Sequence, residues 1–213
     1  HFEKMLYDNA QLVSLYSKAY VLTKNPLYKD VVTETLTYID REMTSEEGAF
    51  YSSLDADSTT ESGTLEEGAY YIYTKEELQQ VLASDFNLFA AYYNVNNFGK
   101  WEDHYVLIRT DSDSTIAKEH NISVDQLKEK KSSWRKTLLA HRNKRPKPRL
   151  DDKTLTSWNA LMLKGYVDAY KALQNKSYLN AALKNATFIK DKQLQSDNAL
   201  FHSYKDGASS ING

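Results

Sequence analysis

Residues 9–53 read NAQLVSLYSKAYVLTKNPLYKDVVTETLTYIDREMTSEEGAFYSS, and residues 159–203 read NALMLKGYVDAYKALQNKSYLNAALKNATFIKDKQLQSDNALFHS. A shift of about 150 positions lays the second stretch on the first without a gap, the signature of an internal repeat. Asn9 falls on Asn159, Ala10 on Ala160, Tyr16 on Tyr166, Ala19 on Ala169, Tyr20 on Tyr170, Asn25 on Asn175, Tyr28 on Tyr178 and Ile39 on Ile189. The aromatic ends match too, Phe50-Tyr51 over Leu200-Phe201. In the first copy Met5, Leu12, Leu15, Tyr16, Ala19 and Tyr20 recur at helical spacing and predict a helix from about Glu3 to Leu22. Asn25-Pro26 then supplies an N-cap with proline at the first helical position, and Tyr28, Val31, Val32, Leu36, Ile39 and Met43 form a second stripe. Helices joined this tightly are antiparallel. A repeated helical hairpin cannot bury its apolar face alone, so the copies must stack. Such stacking gives a solenoid or a closed ring, so the expected fold class is mostly α, in the closed form a partial α/α toroid, read as one segment over 1–213.

Between the copies the pattern is less regular, and an insertion is expected over about 48–122. Gly48-Ala-Phe-Tyr-Ser-Ser and Gly68-Ala-Tyr-Tyr-Ile-Tyr read as two short strands around the polar loop Asp55 to Glu67, a small β-hairpin with an acidic tip. Thr74-Lys-Glu-Glu77 and Ser123-Val-Asp-Gln126 are capping boxes. The first opens a short helix through Leu82, with another expected from Phe86 to Tyr93. The second opens a long charged helix running toward Lys144 and ending before Pro146 and Pro148.

With 27 basic and 29 acidic residues the net charge is -2, which argues against nucleic acid or an anionic membrane as the main partner. The basic run from Arg135 to Arg149 reads as a solvated helix face, because few aromatics are interleaved with it. The chain has no cysteine, hence no disulfide, thiolate metal site or thiol nucleophile. No apolar run approaches the roughly 18 residues needed to span a bilayer. The chain opens at His1 without a methionine, so the expectation is an internal piece of a longer protein, with a cytoplasmic location as the default in the absence of a visible signal peptide.

No HExxH, Walker loop, dinucleotide-binding glycine pattern or GxSxG occurs, and no metal or cofactor is expected. His104, His141 and His202 are scattered and read as structural. The remaining candidates are Asp55-Ala-Asp57-Ser58, Glu66-Glu67, and Asp151-Asp152-Lys153 leading into Thr156-Ser157-Trp158-Asn159. Paired carboxylates flanked by aromatics suit sugar chemistry, in which burial tunes an acid and a base apart while flat rings cover the apolar face of a pyranose. The plainer alternative is that these acids are exposed turns or caps, Asp152 capping a helix from Thr154, and that Trp158 is core.

Four stretches carry a family resemblance: His1-Phe-Glu-Lys-Met-Leu-Tyr-Asp-Asn-Ala, Phe50-Tyr-Ser-Ser-Leu-Asp-Ala-Asp-Ser, Glu67-Gly-Ala-Tyr-Tyr-Ile-Tyr-Thr, and Asp151-Asp-Lys-Thr-Leu-Thr-Ser-Trp-Asn-Ala-Leu-Met. In that order they resemble the spermatogenesis-associated, thioredoxin-domain-containing protein family. The resemblance implies an N-terminal thioredoxin-like domain, absent here, followed by a six-hairpin glycosidase-like toroid similar to that of N-acylglucosamine 2-epimerases, of which this chain matches about the first half. The family's own activity is not established, and fold alone does not assign one.

Two functions are consistent with these readings. One is a carbohydrate-active or carbohydrate-binding segment, epimerase-like or glycosidase-like, with Asp55, Asp57 and Asp152 as the acid and base residues and His1, Tyr70, Trp158 and Asn159 as substrate contacts. The other is a non-catalytic scaffold serving an attached thioredoxin-like domain. Exposed Leu12, Leu15 and Ala19 at the cut edge of a ring would favour a homodimer.

Overall fold

The computed structural model describes residues 2–60 and 62–212. The chain is mostly α with small β-sheets. Its helices are α1 (Leu6–Thr23), α2 (Pro26–Glu42), α3 (Lys75–Leu82), α4 (Phe86–Tyr92), α5 (Asp113–Glu119), α6 (Val124–Arg142), α7 (Thr156–Leu173) and α8 (Lys176–Phe188). Two compact units form among the described residues: residues 3–55 with 149–212, and residues 56–60 and 62–148 together with Phe2.

The first unit is the repeat. In each copy the opening helix ends on a left-handed residue, Lys24 or Gln174, and Asn25 or Asn175 caps the next helix through its side chain. The correspondence extends to the β-ladders. Lys4–Met5 pairs with Ser53–Leu54, Lys4 facing Leu54, and Thr154–Leu155 pairs with Phe201–Lys205, Thr154 facing Tyr204. Isolated bridges join Thr44 to Phe50 and Leu194 to Leu200. At the tight turn between them Gly48 has φ 92 and Asn198 φ 69, the left-handed region that glycine and asparagine tolerate best. α7 packs on α1, and the buried Leu6, Ala10, Val13, Val32, Leu36, Ile39, Met162, Tyr166 and Ala169 form one core. Gly165 makes the close approach possible, since a Cβ there would stand 3.0 Å from the carbonyl oxygen of Ala10.

One difference between the copies explains the middle of the chain. In the second copy Phe201–Lys205 returns through a tight turn at Asp206-Gly207 to Ala208–Asn212, with Ser203 facing Ser210. In the first copy Ser53–Leu54 is paired instead by Leu150–Asp151, with Ser53 facing Asp151. Residues 56–148 thus stand in sequence where the second copy has a hairpin turn.

In that second unit the capping boxes at Thr74 and Ser123 are both formed, opening α3 and α6. Trp134, Phe89, Tyr92, Leu78 and Leu127 lie at its core. The β-hairpin exists, but its strands are Asp57–Thr59 and Leu65–Glu67, inside the stretch expected to be loop. Gly48–Phe50 is a turn closing the first copy. Gly68 to Tyr71 is also a turn, with the Tyr71 amide donating to the Gly68 carbonyl at 2.7 Å and Gly68 at φ 77. The tyrosines there are buried by packing rather than by strand alternation. α5, capped by Ser112, was not expected from the sequence.

Candidate functional site

Of the acids singled out from sequence, Asp55 and Asp152 belong to the first unit and Asp57 to the second. Asp55 follows the Ser53–Leu54 strand; its amide donates to the Arg149 carbonyl at 2.9 Å and its carboxylate lies 3.8 Å from the Arg149 guanidinium. Asp152 follows the partner strand Leu150–Asp151, putting it about 10 Å further along the ladder from Asp55. It caps no helix, because α7 starts at Thr156 with Leu155 at its N-cap. Its carboxylate pairs with Lys205 at 2.7 Å, and that hydrogen bond holds its pKa below the ordinary value. Asp57 belongs to the other unit and faces Glu67 across the hairpin, an arrangement of neighbours on one ribbon face. His1 lies outside the described residues.

Of the candidate aromatic and amide contacts, Trp158 is half-buried against Tyr7, with ring centroids 4.8 Å apart. Asn159 is fully enclosed and every hydrogen-bonding position of its amide is occupied. Its Oδ1 accepts from the Phe50 amide at 2.8 Å and from Asn185 Nδ2 at 2.9 Å, while its Nδ2 donates to the carbonyls of Phe50 at 2.9 Å and Leu155 at 3.0 Å. No capacity is left for a substrate: this residue fastens the turn at Phe50 to α7. Its counterpart Asn9 makes only the equivalent bond to its own helix start, to the Met5 carbonyl at 2.7 Å.

The second unit contains a cavity of about 350 Å³ between the hairpin, the Gly68 turn and the end of α6. Tyr70 is part of its wall; its hydroxyl donates to Asn143 Oδ1 at 3.0 Å and the Arg142 guanidinium lies 4.8 Å from the ring centroid. Ile72 and Pro146 add apolar surface. From the hairpin come Ser58, Thr59 and Glu66, and Ser58 faces Glu66 directly. Strand alternation sends Asp57 to the opposite face. The Ser58 hydroxyl is enclosed, with no hydrogen-bond partner among the described residues. His104 stands in the same wall.

At the base of this cavity Glu77 accepts from the Arg145 guanidinium and lies 2.6 Å from His141 Nε2. Arg145 also donates to the carbonyls of Ala69 at 3.1 Å, Tyr70 at 3.2 Å and Ile72 at 2.7 Å. Burial by itself raises the Glu77 pKa, but the bonds from Arg145 and His141 outweigh it and hold the carboxyl ionised below its usual value. The ion pair therefore braces the turn and leaves little net charge facing the cavity. Sequence reasoning missed this cluster. The capping box identifies Glu77 as a cap residue, but nothing local brings His141 and Arg145 to it. Among the described residues no group of three or more His, Asp or Glu could hold a metal ion. Among the described residues no helix is long and apolar enough to cross a membrane.

No protein-family model matches the chain. It is 36% identical over 210 residues to the uncharacterized protein B0495.5 of Caenorhabditis elegans, covering 89% of this chain and 29% of that protein. It is 34% identical over 212 residues to spermatogenesis-associated protein 20 of Homo sapiens, covering 89% of this chain and 27% of that protein. The chain thus spans under a third of the length of these relatives. Among solved structures, D-mannose isomerase aligns with 98% of this chain and 46% of its own, at 18% identity and TM-score 0.30. Cellobiose 2-epimerase from Bacillus thermoamylovorans B4167 aligns with 99% of this chain and 66% of its own, at 14% identity and TM-score 0.29. At these TM-scores the structural likenesses carry no argument.

Proposed function

We propose that this chain is a carbohydrate-binding part of a longer protein and that the cavity of the second unit is the sugar site. The observation that carries the reading is the cavity itself, a recess of about 350 Å³ whose wall combines Glu66 and His104 with the apolar Ile72 and Pro146. These groups suit such a ligand. Glu66 and His104 offer a carboxylate that accepts and an imidazole that can donate or accept, as a polyol requires, while Ile72 can meet a C–H face. A phosphorylated ligand fits poorly, because Arg145 is consumed by Glu77 and backbone carbonyls. The volume of about 350 Å³ lies at the small end of ligand sites, matching a mono- or disaccharide.

Binding without proton transfer is the better-supported form of this reading. Asp152 is committed to Lys205, and Glu77 is held ionised and so cannot serve as a general acid near neutral pH. The test is calorimetric titration of the chain with neutral mono- and disaccharides. Saturable binding that Glu66→Gln or His104→Ala weakens roughly tenfold supports the proposal; absence of saturable binding across the panel, or binding indifferent to both substitutions, rejects this cavity as the site.

A further inference from the structure

The cavity of the second unit offers no open aromatic face of its own. Among its described lining residues Tyr70 is the one phenylalanine, tyrosine or tryptophan, and it is only 4% exposed. A tryptophan stands just outside. Lys100–Trp101 pairs with His104–Tyr105, Trp101 directly opposite His104, and the two-residue turn at Glu102-Asp103 fixes that register, with Glu102 at φ 52. Residues directly opposite on a ladder send their side chains to one face of the ribbon, with Cβ atoms about 4.5–5.5 Å apart. His104 stands in the cavity wall, so the Trp101 side chain leaves the ribbon on the same face as a wall residue and beside it. A second contact ties the indole to the same wall. The buried Phe2 ring meets Trp101 with centroids 5.6 Å apart and planes at 85°, and it also covers Gly68, where a Cβ would stand 2.6 Å from that ring; Ala69, next in the chain, is a wall residue. The indole is therefore braced from one side, yet 40% of its surface stays open.

We propose that Trp101 is a second subsite for the cavity's ligand. A neutral sugar of two or more rings seats one ring in the cavity and lays the C–H face of the next on the indole, as a flat ring with apolar surface permits. The inference rests on the cavity being the sugar site, and it narrows the ligand class from single sugars to neutral oligosaccharides. Charge favours the neutral form: Glu66 stands in the wall and Glu102 and Asp103 form the turn beside Trp101, so an anionic ring would meet like charge. Covering part of an exposed indole corresponds to about a tenfold gain in affinity.

Calorimetric titration of the full 213-residue chain with a neutral monosaccharide and with its disaccharide tests this. Wild type should bind the disaccharide about tenfold more tightly. Trp101→Ala should remove that difference and leave the monosaccharide affinity unchanged, Trp101→Phe should keep part of it, and His104→Ala should weaken both ligands. The unchanged monosaccharide affinity shows that the variant is folded. In spectra of the isotope-labelled chain, the Trp101 indole N–H resonance should move with the disaccharide and stay still with the monosaccharide. Equal wild-type affinity for the two sugars, a preference that survives in Trp101→Ala, or a loss shared equally by both sugars overturns the subsite while leaving the cavity reading intact. Absence of binding by either sugar overturns the cavity reading, and the subsite with it.

Discussion

Replacing Asn159 by alanine separates a structural role from a ligand-binding one. The substitution strips partners from the Phe50 N–H and C=O and removes one of the two acceptors of Asn185 Nδ2, all at positions with no solvent contact. Each buried polar group left bare costs about 1–3 kcal/mol, and with partial relaxation the loss should total about 3 kcal/mol. For a chain of this size that lowers Tm by about 6–12 °C. The repeat supplies an internal control. Asn9→Ala removes one bond at a half-buried site and should cost about 1 kcal/mol, a shift of about 2–4 °C. Far-UV circular dichroism melts of the two variants beside wild type give the comparison directly, and sugar titration of Asn159→Ala below its melting range should match wild type. An Asn159→Ala shift no larger than that of Asn9→Ala would refute the fastener role.

Gly165→Ala places a methyl 3.0 Å from the Ala10 carbonyl oxygen, so α1 and α7 must separate; urea unfolding should show a loss of about 1–3 kcal/mol. Tyr166→Phe removes the hydroxyl that donates to Asp40 and should cost about 1 kcal/mol in the same assay. Glu77 has a folded pKa below its unfolded value near 4.5, so its contribution is present above that pH and is lost as pH falls through the folded pKa. Acid titration followed by Trp134 fluorescence should therefore show the wild type losing stability below about pH 4.5, with Glu77→Gln less stable at pH 7 and flatter across that limb.

The helices and their ends were legible because their signals are local. Asn25-Pro26 and the boxes at Thr74 and Ser123 act within one turn, and the two copies of the hairpin repeat their caps, left-handed ends and ladder registers in step. The hairpin strands were not, because strands of three residues carry too little alternation to place. Buried tyrosines at Tyr70 and Tyr73 imitated a strand in a segment that is mostly turn. Asp152 looked like a cap because it precedes a helix, yet the intervening Thr154–Leu155 strand moves the helix start and Lys205, distant in sequence, takes the carboxylate. The Glu77, His141 and Arg145 cluster depends on packing α3 against the end of α6, which no spacing in the sequence encodes.

The sugar-site claim is tested most directly by following backbone amide resonances of the isotope-labelled chain during titration with a neutral disaccharide. Saturable shifts gathered at Ser58, Thr59, Glu66, Ile72 and His104, with Asp55 and Asp152 still, are what the cavity chemistry predicts. Shifts gathered instead around Asp55, Asp152 and Trp158, or no saturable shift anywhere, would contradict it.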